Sequence, residues 1–184
     1  MSRLSFILQY IMKPRTVGAV MPSSKYLAQK MMQGIDFDSA VCIVEYGPGT
    51  GVFTEEILKR RRQDTLVLLF EMDKAFYEML QKKYEGIESL RIINDSAERI
   101  GEYLKKHGID YADYIVSGLP FASLPQSVSV NILSQTKRYL KQGGRFITFQ
   151  YTLFKKDFIG QFFDEIDVTR ELRNVPPAYV LCCC

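Results

Sequence analysis

The stretch Glu45-Tyr46-Gly47-Pro48-Gly49-Thr50-Gly51 follows the apolar run Val41-Cys42-Ile43-Val44 and leads into a helical pattern from Phe53. A short apolar run bounded by a turn signal reads as a strand buried on both faces. Glycines at alternate positions directly after it make a turn whose main chain can take positive φ and touch a ligand. The spacing discriminates between ligands. A dinucleotide-binding turn needs G-x-G-x-x-G, and the residue at its third glycine position is Val52.

Working outward, the run Thr65-Leu66-Val67-Leu68-Leu69-Phe70 ends in Glu71-Met72-Asp73. A ribose-binding carboxylate is expected about 20 residues after such a turn, at the end of the second strand, which makes Glu71 the candidate. Alternation then continues: a third strand over 90–94, a helix over 97–106, a fourth strand over 114–116, and a helix over 127–140. Gly143-Gly144 reads as the stop of that helix, with a fifth strand over 145–149 and a short helix over 155–163. The runs 167–175 and 178–184 are joined by Pro176-Pro177, too close for a helical crossover, so they predict a hairpin. The fold class is therefore α/β, a Rossmann-like seven-stranded sheet closed by a C-terminal antiparallel hairpin, in a single domain spanning 1–184.

Composition agrees with one folded domain. The chain has 184 residues, 47% hydrophobic and 24% charged, which suffices for a sizeable core. A net charge of +3 implies no grip on nucleic acid by itself. The cysteines, Cys42 and the terminal Cys182, Cys183 and Cys184, lack C-x-x-C spacing, and His107 is the sole histidine, so no zinc site is expected. They read as reduced thiols of a cytoplasmic protein. Basic clusters such as Lys59-Arg60-Arg61-Arg62 close helices, where cations complement the dipole, although one could also meet anionic headgroups.

The turn E-x-G-x-G-x-G with its following acid resembles motif I of the class I S-adenosylmethionine-dependent methyltransferases. That resemblance implies S-adenosyl-L-methionine as cofactor, held by Glu45, Gly47, Gly49, Gly51, Glu71 and Met72. At the end of the third strand, Asp95 is placed to accept from the adenine amino group and Ser96 or Ala97 to donate a backbone N–H. Ordinary helix capping by Asp95 or Ser96 is the alternative, and the two are compatible. Ser117-Gly118-Leu119-Pro120-Phe121 ends the fourth strand, where the fold addresses the methyl acceptor. Amino-methylating members carry Asn or Asp, any residue, Pro and an aromatic here. This chain keeps Pro120 and Phe121 but has Gly118 at the acid or amide position. No catalytic base is identifiable, and Phe121 is either a ring facing the methylated cation or part of the core.

Upstream, Pro14-Arg15-Thr16-Val17-Gly18-Ala19-Val20-Met21-Pro22-Ser23-Ser24 resembles the bacterial phospholipid N-methyltransferases, as does Asn174-Val175-Pro176-Pro177-Ala178 near the other end. The chain is also similar to ribosomal RNA adenine dimethyltransferases, which add a C-terminal helical domain. The first resemblance implies methyl transfer to phosphatidylethanolamine or a related amino lipid, and a lid over 14–35 with Val20, Met21 and Ser23 above the cofactor. A plain capped helix after Pro22-Ser23-Ser24 is the alternative. Leu4, Ile7, Leu8 and Ile11 recur at helical spacing between Arg3 and Lys13, so 1–13 reads either as an interfacial helix or as a helix packed on the body. The expected partner is an anionic phospholipid surface, with no nucleic acid and no metal, and the expected location is the inner face of the membrane. An RNA or small-molecule amine methyltransferase, or a noncatalytic membrane-binding module, is the alternative.

Overall fold

Ser24 opens the part of the chain that this computed structural model describes, residues 24–184. It caps helix α1 (Lys25–Met31), its hydroxyl accepting from the Leu27 amide at 3.2 Å. Its own amide donates to Asn174 Oδ1 at 3.0 Å, which ties the start of α1 to the far end of the sequence. The residues expected to form the interfacial helix, 1–13, and the lid residues Val20, Met21 and Ser23 lie outside the described residues. Of the span 14–35, the described portion contains α1, with Leu27, Ala28 and Met31 fully buried.

Strands and helices then alternate: β1 (Cys42–Tyr46), α2 (Val52–Arg60), β2 (Leu66–Phe70), α3 (Lys74–Lys83), β3 (Leu90–Ile93), a 3-10 turn (Ala97–Arg99) running into α4 (Ile100–Lys106), and β4 (Ala112–Ser117). After them come α5 (Gln126–Tyr139), β5 (Leu140–Gln150), α6 (Lys156–Ile159), β6 (Ile166–Glu171) and β7 (Ala178–Cys183). The seven strands form one sheet in the order β3-β2-β1-β4-β5-β7-β6. β1 to β5 run parallel, and β7 is antiparallel to both its neighbours. The C-terminal hairpin is thus present.

Two boundaries differ from the sequence reading. β6 stops at Glu171, so residues 172–177 form the hairpin turn. Gly143-Gly144 is no helix stop, because α5 has already ended and β5 begins at Leu140. The glycines lie in a strand irregularity: Ala112 pairs with Leu140 and Tyr114 with Arg145. Gly143 has φ +76°, and a Cβ at Gly144 would lie 2.5 Å from the Asp113 carbonyl. Backbone crowding, not helix termination, explains that pair.

The core lies on both faces of the sheet, as the two-residue period of β1 dictates. Cys42, Val44 and Tyr46 join Phe70, Ile115, Phe121 and Phe146 on one side. Ile43 joins Leu27, Met31, Ile57 and Ile147 on the other. At the amino edge, the Asp113 carboxylate accepts from the amides of Val41 and Cys42 and from Lys141 Nζ at 2.7–2.9 Å. Burial pushes its pKa up, but these bonds outweigh burial and hold it below the ordinary value.

Candidate active site

In the parallel part of the sheet, chain order runs outward from β1 to β2 and β3 on one side and from β4 to β5 on the other. The gap between the carboxyl ends of β1 and β4 is therefore a topological switch point, where open α/β sheets bind ligands. Three features meet there: the glycine turn after β1, the acid after β2 and the loop after β4.

The turn uses positive φ at all three glycines, +63° at Gly47, +53° at Gly49 and +85° at Gly51. They are not equivalent. A Cβ at Gly47 would lie 2.9 Å from Leu119 Cδ2, and one at Gly51 would lie 2.5 Å from the Tyr84 hydroxyl. One at Gly49 would meet nothing within 4 Å, so Gly49 alone of the three faces open space. Tyr84 closes the turn from below by donating to the Gly51 carbonyl at 3.1 Å.

Glu71 is almost fully buried at the end of β2. Its Oε2 accepts from the Gly49 amide at 3.0 Å and its Oε1 from the Asp73 amide at 2.9 Å. Burial raises its pKa against the opposing pull of those amides. Asn94 fixes the backbone beneath it, donating to the Glu71 carbonyl at 2.8 Å and to that of the half-buried Met72 at 3.3 Å.

Glu45 is completely buried in β1. Thr54, in the first turn of α2, donates to its Oε2 at 2.7 Å, while its Oε1 has no partner among the described residues. Burial pushes its pKa up to about 8, eased by the Thr54 bond and reinforced by the charge of Glu71. Thr54 and Asn94 escaped the sequence reading. A hydroxyl one turn into the helix after a glycine turn, nine residues past an acid, is the signal that would have found the first.

After β3, Asp95 accepts from its neighbour Ser96 N–H at 2.8 Å, from the Tyr103 hydroxyl at 2.8 Å and from Arg99. The Ser96 hydroxyl caps the 3-10 turn by accepting from the Glu98 amide, so capping falls to Ser96 rather than Asp95. Ala97 is buried beside it. Asp95, Ser96 and Ala97 thus share one edge of the site with Glu71, linked through Asn94.

After β4, Ser117 is fully buried, and its hydroxyl accepts from the Leu119 amide at 3.2 Å. Gly118 donates to the Tyr46 carbonyl at 2.8 Å, which locks the loop against the glycine turn. A Cβ at Gly118 would sit 2.7 Å from the Gly47 carbonyl oxygen, so the close approach of two backbones forbids a side chain there. Pro120 is exposed. Of the two alternatives for Phe121, the structure has it in the core: its ring is fully buried, edge-to-face with Phe146 at 6.2 Å between centroids. It anchors the loop there.

Residues 3–158 match the family model described as ribosomal RNA adenine dimethylase. The chain belongs to that family. It is an S-adenosylmethionine-dependent methyltransferase, and the site fits the cofactor: Gly49 leaves open space where a side chain would intrude, and Glu45 holds an orphaned buried oxygen suited to a cation. Among relatives, the chain is 29% identical to ornithine lipid N-methyltransferase of Singulisphaera acidiphila, over 97% of this chain and 93% of that protein. It is 26% identical to ribosomal RNA small subunit methyltransferase A of Hydrogenobaculum sp., over 71% of this chain and only 48% of that one. The fold also matches precorrin-6y C5,15-methyltransferase of Geobacter metallireducens, with a TM-score of 0.71 at 10% identity over 93% and 94% of the two chains. Among the described residues there is no group of His, Cys, Asp and Glu placed to hold a metal, and no helix long and apolar enough to cross a membrane.

Proposed function

We propose that this methyltransferase acts on the amine headgroup of a lipid, phosphatidylethanolamine or a related amino lipid. One observation carries the reading: the match to ornithine lipid N-methyltransferase runs nearly end to end in both chains, whereas the ribosomal RNA enzyme is about twice as long as its matched part. Gly118 supports it. The position at which a side-chain oxygen would accept from a base amino group has no room for a side chain.

The bound cofactor supplies an electrophilic methyl group on a sulfonium. Glu71 would hold its ribose hydroxyls through the lone pairs its two amide bonds leave over. Glu45 would ionise against its positive charge, and Asp95 with Ala97 would border its base. For the acceptor, main-chain carbonyls of the 117–121 loop replace a side chain. The Leu119 carbonyl takes the Phe121 amide at 3.0 Å and keeps a lone pair for an amine N–H. Orienting the nitrogen in line with the methyl group is the main contribution asked of the protein. An alkylammonium titrates near lysine's value of about 10.4, so the amine gives its proton to solvent before attack.

The test is transfer of radiolabelled methyl groups to vesicles of phosphatidylethanolamine, vesicles of ornithine lipid and small-subunit ribosomal RNA, side by side. Label in a lipid headgroup supports the reading. Label in adenine alone overturns it in favour of RNA methylation, the second reading, which the family match favours.

A further inference from the structure

The carboxyl edge of the sheet carries an uneven share of exposed apolar surface. Of the eight large apolar side chains exposed among the described residues, five sit on two loop tips: Tyr151, Leu153 and Phe154 after β5, and Leu172 and Val175 in the β6–β7 turn. Phe154 is 82% exposed, Val175 70% and Leu172 65%. Val41 and Tyr111 lie instead at the start of β1 and just before β4, the opposite edge.

The two tips adjoin each other and the acceptor loop. Gln150 pairs with Tyr179 and Glu171 with Ala178, so β5, β6 and β7 end or begin at one level. Ser117 pairs with Thr148, two residues before β5 ends. At about 5 Å per strand, the tips stand roughly 5–15 Å to the side of the loop that addresses the acceptor. Cations border them: Lys155 and Lys156 follow Phe154, and Arg170 precedes the turn, while Arg173 inside it is neutralised by Glu171. The acids nearest in sequence are Asp157 and Glu171, and Glu171 is already paired with Arg173.

We infer that these two tips form a docking face for an anionic phospholipid bilayer, inserting Leu153, Phe154, Leu172 and Val175 beside the acceptor loop. Apolar tips rimmed by cations match the chemistry of that surface, with burial in the acyl boundary and attraction to the headgroups acting together. The patch stands at the same sheet edge as the acceptor loop. A lipid amine held in a bilayer would thus meet the loop without leaving its leaflet. This inference rests on the lipid reading above, but its test separates from it.

The chain contains no tryptophan, so Phe154→Trp and Leu172→Trp each create a lone fluorescent reporter, with Val41→Trp as the control at the opposite edge. On adding vesicles of phosphatidylethanolamine and phosphatidylglycerol, emission at 154 and 172 should shift to the blue while emission at 41 stays put. The paired change Phe154→Glu with Leu172→Glu should weaken vesicle sedimentation at least about tenfold and leave cofactor affinity by calorimetry unchanged. Emission at 154 and 172 already blue without vesicles and unmoved by them would overturn the inference, since the face would then be covered by the protein itself or by a second copy. Sedimentation of the paired variant like the parent would overturn it too. Vesicle binding through these tips without methyl transfer to lipid would keep the docking face and sink the proposed acceptor instead.

Discussion

The Gly49 amide donates to Glu71 Oε2 at 3.0 Å, joining the glycine turn to the acid 22 residues later. Glu71 is thereby held in one orientation by Gly49 on one oxygen and Asp73 on the other. The same bond makes the carboxylate part of the turn's own structure.

Glu71→Ala should therefore lose cofactor affinity, by about 1.5–3 kcal/mol for a charge-assisted hydrogen bond, and also loosen the turn. Titration calorimetry on folded protein measures the first effect. Gly49→Val should be worse, because it combines a positive φ with a branched side chain in the space left for the cofactor. Wild-type affinity in Glu71→Ala would remove Glu71 from the site.

Gly118→Ala tests the backbone approach at the acceptor loop. The added Cβ, 2.7 Å from the Gly47 oxygen, must force the loop and the glycine turn apart. A loss of about 1–3 kcal/mol in urea-unfolding stability is expected, with turnover falling alongside. A Gly118→Asn variant of parental stability would show that the contact is slack.

Phe121→Ala should behave as a core deletion. With its ring fully buried against Phe146, the cost is about 3–5 kcal/mol of stability. Chemical denaturation gives the number. If stability held and only turnover fell, the ring would be acting on the acceptor after all.

Glu45 makes stability depend on pH with an unusual sign. Its folded-state pKa is raised to about 8, so between the ordinary value of 4.5 and about 8 the unfolded chain has released a proton that the folded chain keeps. Its contribution to stability falls as pH rises through that window. Cofactor-free Glu45→Gln should gain thermal stability over the parent at pH 8 and little at pH 4. A parent-minus-variant difference independent of pH would contradict the raised value.

The order of elements, the hairpin and the identity of the glycine turn and Glu71 were legible in the chain, because each rests on local rules: apolar runs for buried strands, glycine for positive φ, proline for a turn. Gly143-Gly144 misled because the same residue type serves both a helix stop and a strand irregularity, and only pairing with β4 distinguishes them. Gly118 looked like a missing acceptor. The fold shows why glycine stands there, since the Gly47 carbonyl comes from a turn more than 70 residues earlier. Phe121 stood undecided between acceptor and core until Phe146 was placed beside it. Thr54 beside Glu45 and Asn94 beneath Glu71 likewise depend on which ends of which strands meet. Sequence alone determined the order of strands and the glycine turn, since those follow from residues close together in the chain, and the resemblance carried by that turn implied the cofactor. Tertiary structure alone decided which side chains have room, which are buried without a partner, and which apolar tips stand beside the site, because those depend on contacts between distant segments.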